Sequence, residues 1–138
     1  MEVTVVDAGV VIAILDSSDA HHAVARQAVA HAMDRGDRLV IPASAYAEVL
    51  VAPYGRGAEA VATVEAFLAA LPIIVEPATR EIAAVAAELR SRHGRRLPLP
   101  DALVVATAIA VSAARVLTTD ARWPRVPVSV EIVRPVAG

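Results

Sequence analysis

Two short apolar runs that each end on an aspartate constrain this chain most: Val5-Val6-Asp7 near its start and Leu117-Thr118-Thr119-Asp120 near its end. A bounded run of branched apolar residues reads as a strand covered on both faces, the kind that parallel sheets contain. A carboxylate directly behind such a run stands where the strand leaves the sheet. Two more runs of this kind, Leu39-Val40-Ile41 and Ile73-Ile74-Val75, lie between them, and residues 130–133 offer a short fifth strand at an edge.

The intervening segments carry helical spacing. Residues 9–15 form a short apolar helix, and Ala25, Ala28, Val29, Ala32 and Met33 share one face of a second that Gly36 ends. A third is expected over 43–51, stopped by Pro53, with Gly55 and Gly57 marking a turn. Val61, Val64 and Leu68 define a fourth that runs to about residue 70. Residues 78–93 give the best amphipathic helix, with Ile82, Val85, Ala86 and Leu89 inward and Gly94 as its stop; a loop over 95–100 then leads to an apolar helix over 101–114. Strands alternating with helices predict an α/β fold, with a mainly parallel sheet of about five strands and helices on both faces. The length fits one domain over 1–138. In such sheets ligands bind beyond the carboxyl ends of the strands, where the strand order reverses. If the two Asp-ended strands are neighbours at that reversal, Asp7 and Asp120 face each other.

Composition narrows the chemistry. Hydrophobic residues make up 57% of the chain but only four are aromatic, so the core must be built by close packing of small side chains. There is no cysteine, hence no disulfide and no thiolate metal site, which fits a reducing cytoplasm. All 13 basic residues are arginine. Without lysine, a phosphate-binding P-loop and Schiff-base catalysis are both excluded. Arginine's planar fork suits phosphate contacts, although a net charge of −2 makes the whole chain no polyanion magnet. The start carries early acids and no basic region, which argues against a signal peptide. The longest apolar stretch, near residues 102–111, is far short of the roughly 20 residues a bilayer span needs, so no membrane partner is expected.

Two further acids join the first pair. Glu48 lies in the small, apolar stretch Ala45-Tyr46-Ala47-Glu48-Val49-Leu50, where a charge is costly unless it is paired or metal-bound. Asp101 follows Leu97-Pro98-Leu99-Pro100 at the start of the apolar helix. Each acid alone also fits a structural role. Asp7 suits a helix N-cap, Glu48 an exposed helix face, Asp101 a first-turn acid and Asp120 the start of a turn. Together, four carboxylates with no cysteine and no evident histidine pair describe a hard-cation site for Mg2+ or Mn2+. Such ions ionise water and neutralise charge on a phosphate in transfer. Because clustered carboxylates repel one another, they would be strained or protonated without the ion.

The segments Val5-Val6-Asp7-Ala8, Ala47-Glu48-Val49, Pro100-Asp101-Ala102-Leu103-Val104-Val105-Ala106-Thr107 and Leu117-Thr118-Thr119-Asp120 resemble the PIN-domain family, and within it the VapC-type toxins of bacterial toxin–antitoxin pairs. The resemblance covers nearly the whole chain. It implies a three-layer α/β/α sandwich, a Mg2+- or Mn2+-dependent endoribonuclease, a homodimer and an inhibitory antitoxin partner. On it, Asp7, Glu48, Asp101 and Asp120 match the catalytic quartet, Asp7, Asp101 and Asp120 are metal ligands, and Thr118 is a supporting hydroxyl. Transfer RNA and ribosomal RNA are both plausible substrates on family grounds. The alternatives are a PIN ribonuclease of RNA processing without an antitoxin, or a catalytically weak RNA-binding PIN module.

This chain departs from the pattern at Gly9, where the family often has serine or threonine; the loss of that hydroxyl is expected to weaken metal binding. No further acid follows Asp120 in Ala121-Arg122-Trp123, which is expected to weaken any second metal site. Arg90, Arg92, Arg95 and Arg96 precede Asp101, either as a solvated helix end or as a basic rim for RNA phosphates, with Arg95 and Arg96 the candidate contacts. Asp16, Asp19, His21 and His22 read as a cap and exposed helix residues, and Tyr46 and Trp123 as packing residues before base-stacking ones. Small apolar residues over 42–71 suit a groove for an amphipathic helix.

Overall fold

A computed structural model describes residues 1–135. The chain forms β1 (Val3–Val6), α1 (Ala8–Leu15), α2 (His22–Asp34), β2 (Arg38–Pro42), α3 (Ala43–Arg56), α4 (Ala58–Ala70), β3 (Ile73–Glu76), α5 (Arg80–His93), a 3-10 turn (Gly94–Arg96), α6 (Leu99–Ala110), β4 (Arg115–Thr118) and β5 (Val130–Ile132). The five strands form one sheet in the order β3-β2-β1-β4-β5, with every pairing parallel. The order therefore reverses between β1 and β4, where Val5 pairs with Val116 and Val6 with Leu117. The six helices flank this sheet in an α/β/α arrangement, as expected, and β5 sits at an edge.

The central apolar runs are covered on both faces, whereas the edge strand β3, expected to be covered too, leaves Ile74 and Val75 exposed because no strand flanks it on one side. Val5, Val6, Leu39, Ile41, Val116 and Leu117 are essentially inaccessible. One core cluster joins the sheet to α1, α2, α3 and α4, while a second gathers Ile82, Ala86 and Leu89 of α5 with Leu97 and the Ala102, Val105 and Ala106 face of α6. No helix among the described residues is long and apolar enough to cross a membrane.

Three boundaries differ from the sequence reading. The third helix passes through Pro53 to Arg56. Pro53 lacks the N–H that would bond Val49 O and costs the helix that bond, but its ring is buried, and Gly57 at φ +117° makes the stop. Gly55 marks no turn. The last helix spans Leu99–Ala110 rather than 101–114. It closes with Ser112 N–H on Ile109 O (3.1 Å) and Ala113 N–H on Ala108 O (2.9 Å). That closure needs a left-handed residue, usually glycine; here Ser112 takes it at φ 54°. Within the expected loop over 95–100, Gly94–Arg96 form a 3-10 turn and Leu99 already begins α6.

At the amino ends of the central strands lies a buried charge network. Gly36 and Asp37 close α2, with Asp37 N–H on Ala32 O at 2.9 Å. This turn delivers the Asp37 carboxylate, 2% exposed, beneath β1 and β4. There it accepts from Thr4 Oγ1 (2.8 Å), Arg115 Nη1 (2.6 Å) and Arg35 Nη2 (3.0 Å). Burial acts to raise its pKa, but the Thr4 hydroxyl and the two guanidiniums outweigh it and hold Asp37 below the ordinary carboxylate range.

Candidate active site

At the opposite, carboxyl end, the reversal of strand order brings together the ends of β1 and β4. Asp7 N–H bonds Leu117 O at 3.0 Å, which ties the two strand ends directly. Asp7 then caps α1, its Oδ1 accepting Ala8 N–H at 2.8 Å. Its Oδ2 accepts the Thr118 hydroxyl at 2.8 Å. The same Thr118 oxygen accepts Asp120 N–H at 3.1 Å. One fully buried hydroxyl thus fixes the positions of both strand-end aspartates.

Asp101 reaches the same place from α6. Pro98 is the N-cap and Pro100 occupies the first turn, so Asp101 is its acidic first-turn residue. Proline is suited there because its missing N–H would have had no partner. Glu48 approaches from α3. The residue as a whole is exposed, so the cost of burying a charge does not apply to it in full. Only its carboxyl end is partly desolvated.

The four acids act on one another electrically. Desolvation raises Asp101 most, and the charges of Asp7, Asp120 and Glu48 add to it, so that its carboxyl is pushed up to about 6. Burial raises Asp7 against the hydrogen bonds from Thr118 and Ala8, and the Asp120 charge adds to the rise. Glu48 is raised by desolvation first and by Asp7 second. Asp120 alone is lowered, chiefly by Arg122. Arg122 donates to Asp120 through its backbone N–H (2.9 Å to Oδ1), Nε (3.1 Å to Oδ1) and Nη2 (3.3 Å to Oδ2).

A site of four mutually repelling carboxylates is an oxygen donor set fit for a hard divalent cation. Among the described residues, no three His, Cys, Asp or Glu side chains are gathered into a ready ion-holding group. Asp120 instead accepts from Arg122, and Asp7 from Thr118 and the start of α1.

The family model for the PIN domain matches residues 4–129. The chain belongs to the PIN-domain family. No curated protein sequence matches it. Among solved structures, a toxin–antitoxin complex from Klebsiella pneumoniae is similar at 20% identity and TM-score 0.74, over 96% of this chain and 99% of that one. Mycobacterium tuberculosis VapC20, a toxin that cleaves the sarcin–ricin loop, is similar at 20% identity and TM-score 0.66, over 82% of this chain and 86% of that one. At that identity the likeness establishes a shared fold. All four predicted acids of this PIN domain thus lie at the carboxyl end of the sheet, where ligands bind in doubly wound sheets.

Other residues singled out from sequence fall elsewhere. Asp16 accepts Ser18 N–H and Oγ–H, Asp19 accepts His21 N–H, and His22 Nδ1 lies 2.8 Å from Ala13 O, so this cluster shapes the α1–α2 turn. Arg92 pairs with Glu88. Arg95 and Arg96 are exposed on the 3-10 turn that leads into α6, with no ion pair among the described residues. Tyr46 and Trp123 pack against the core.

Two features of this PIN domain escaped the sequence reading. One is the grip of Arg122 on Asp120; an aspartate accepting the N–H two residues on is a common turn signal, and Asp120-Ala121-Arg122 carries it. The other is the reason for Gly9. A side-chain carbon at position 9 would come within 2.5 Å of Thr119 Oγ1. A larger residue there requires the Thr119 side chain to turn away.

Proposed function

We propose that this PIN domain is a metal-dependent endoribonuclease of the VapC toxin kind, held in check by a cognate antitoxin. The observation that carries this reading is the convergence of Asp7, Glu48, Asp101 and Asp120 at the reversal of the sheet, with their charges largely uncompensated. The two similar solved structures named above come from toxin systems, which supports the toxin branch over an RNA-processing nuclease. The substrate is RNA, with transfer RNA and ribosomal RNA the first classes to try, and the compartment is the cytoplasm.

Asp7, Asp101 and Asp120 would hold Mg2+ or Mn2+, with Glu48 at the open side of the site. A bound divalent ion supplies ionisation of water and neutralisation of phosphate charge. The chain's own part is orientation and proton handling. Thr118 keeps Asp7 and Asp120 in register, and Glu48, the most solvent-accessible acid, is placed to take the proton that an attacking water gives up. Arg95 and Arg96 form a basic approach for flanking phosphates.

The antitoxin reading draws on a groove of about 620 Å³ between α1, α3 and α4, lined by Ile12, Leu15, Val49 and Val64 with Glu48 and Arg56 among its polar residues. An amphipathic helix laid there would reach the acidic site past Glu48. Val51 and Tyr54, both exposed on α3, offer an apolar contact for a second copy in a homodimer.

The test is cleavage of purified cellular RNA with Mn2+ or Mg2+, with and without chelator, comparing wild type with Asp7→Asn. Discrete fragments made by wild type alone, and only with metal, are expected. The binding-module alternative draws on the absence of a ready ion-holding group among the described residues. Folded wild type that binds RNA, takes up no Mn2+ and cuts nothing would favour it.

A further inference from the structure

Arg122 is the one cation that hydrogen-bonds to the acidic quartet among the described residues. It lies in the loop beyond β4, 90% exposed, yet it folds back so that Nε and Nη2 meet both oxygens of Asp120. A long, exposed side chain loses rotamer freedom in such a pose and is repaid little in water. The pose follows from the surrounding charge: Asp101 also attracts this guanidinium. The oxygens it covers are those a divalent ion needs from Asp120. Arginine's fork matches a phosphate as well as it matches a carboxylate.

We propose that Arg122 is a substrate-positioning residue, parked on Asp120 until a divalent ion takes that carboxylate and then free to hold an RNA phosphate at the mouth of the site. This rests on the nuclease reading above. Arg122 and the ion compete for the same two oxygens, so Asp120 cannot serve both fully. Once Asp120 turns toward the ion, the guanidinium loses its partner beside the place where the phosphodiester must lie. The backbone bond from Arg122 N–H to Asp120 does not depend on the side chain. Substitution at 122 therefore removes the fork and keeps the turn.

The experiment compares wild type, Arg122→Gln and Arg122→Lys in two measurements. Mn2+ affinity is read by electron paramagnetic resonance without RNA. Binding of polyuridine RNA is read across a salt series, with Ca2+ in place of the catalytic ion. Arg122→Gln is expected to bind Mn2+ about threefold more tightly, the scale of losing one exposed ion pair. Its RNA affinity is expected to fall and its salt slope to shrink by about one, the signature of one lost phosphate contact. Arg122→Lys, which keeps the charge, is expected to retain the slope. An unchanged slope or an unchanged Mn2+ affinity in Arg122→Gln overturns the proposal. Wild type that binds Mn2+ and RNA with these responses yet cuts no RNA would break the nuclease reading instead.

Discussion

The two ends of the central strands carry the same side chain under opposite rules. At the amino end, Asp37 is buried more deeply than any acid of the quartet, yet it meets two arginines and a threonine and stays ionised. At the carboxyl end, Asp101 is only half-buried, yet its neighbours are carboxylates and its pKa climbs to about 6. Burial acts to raise both acids, and compensation decides the outcome: the hydroxyl and guanidinium partners of Asp37 outweigh its burial, whereas the carboxylates beside Asp101 add to the rise that desolvation begins.

The strongest way to break this contrast is Asp37→Ala. It leaves Arg115, 19% exposed, without its main partner. A loss of about 3 kcal/mol is expected, the scale of breaking a buried ion pair, read by urea unfolding at neutral pH. Because Asp37 has a lowered pKa, its stabilisation is present above the ordinary carboxylate value and is lost as pH falls through the folded one. A wild-type cost near zero would mean that the amino-end network is ornamental.

Thr118→Val comes next. It strands the part-buried Asp120 N–H and removes a hydrogen bond that acts to lower the pKa of Asp7. A loss of roughly 1.5 kcal/mol is expected, with weaker Mn2+ binding in the same variant. Undiminished Mn2+ affinity would show that Thr118 serves the strands and not the site.

Asp101→Asn has the opposite sign. The folded pKa of about 6 lies above the ordinary value, so the folded form binds more protons and stability falls as pH rises through that window. Without metal, Asp101→Asn is expected to gain about 1 kcal/mol above pH ~7, after allowing for solvent screening at a half-open site. No gain is expected at pH ~4, where the wild-type acid is already protonated. Equal stability of the two proteins across the range would contradict the crowding of charge at this end. The smallest effect belongs to Arg95→Glu with Arg96→Glu. Stability is expected to stay within about 0.5 kcal/mol, while the salt slope of RNA binding flattens; an unchanged slope would remove these residues from the RNA path.

How legible each end was follows from how local its signals are. Asp7 announces itself because it follows directly on an apolar strand, Asp120 because it stands two residues past the end of another, and Asp101 because two prolines mark the start of its helix. The alternation of elements made the parallel sheet legible, but not its order, in which β1 lies beside β4. The Asp37 network could not be read in advance: its members sit at positions 4, 35, 37 and 115 and meet only once three strands are aligned. The exposure of Glu48 was one of its two sequence readings, and the structure selects it, because apolar neighbours in sequence do not fix which face of α3 meets solvent. Pro53 and Ser112 misled for a related reason. Burial of the Pro53 ring and an uncommon left-handed serine each override local preference at a helix end.

Trp123 is the chain's sole tryptophan, and it touches both core clusters from the loop that carries Asp120 and Arg122. Its indole N–H is buried without a partner among the described residues. The protein therefore contains its own optical probe: a single emitter, three positions from Asp120, at the junction of the two halves of the interior. Its emission spectrum will shift as the two clusters come apart, so unfolding can be followed in the unlabelled chain with one fluorimeter, and the proposed release of Arg122 from Asp120 is open to the same probe.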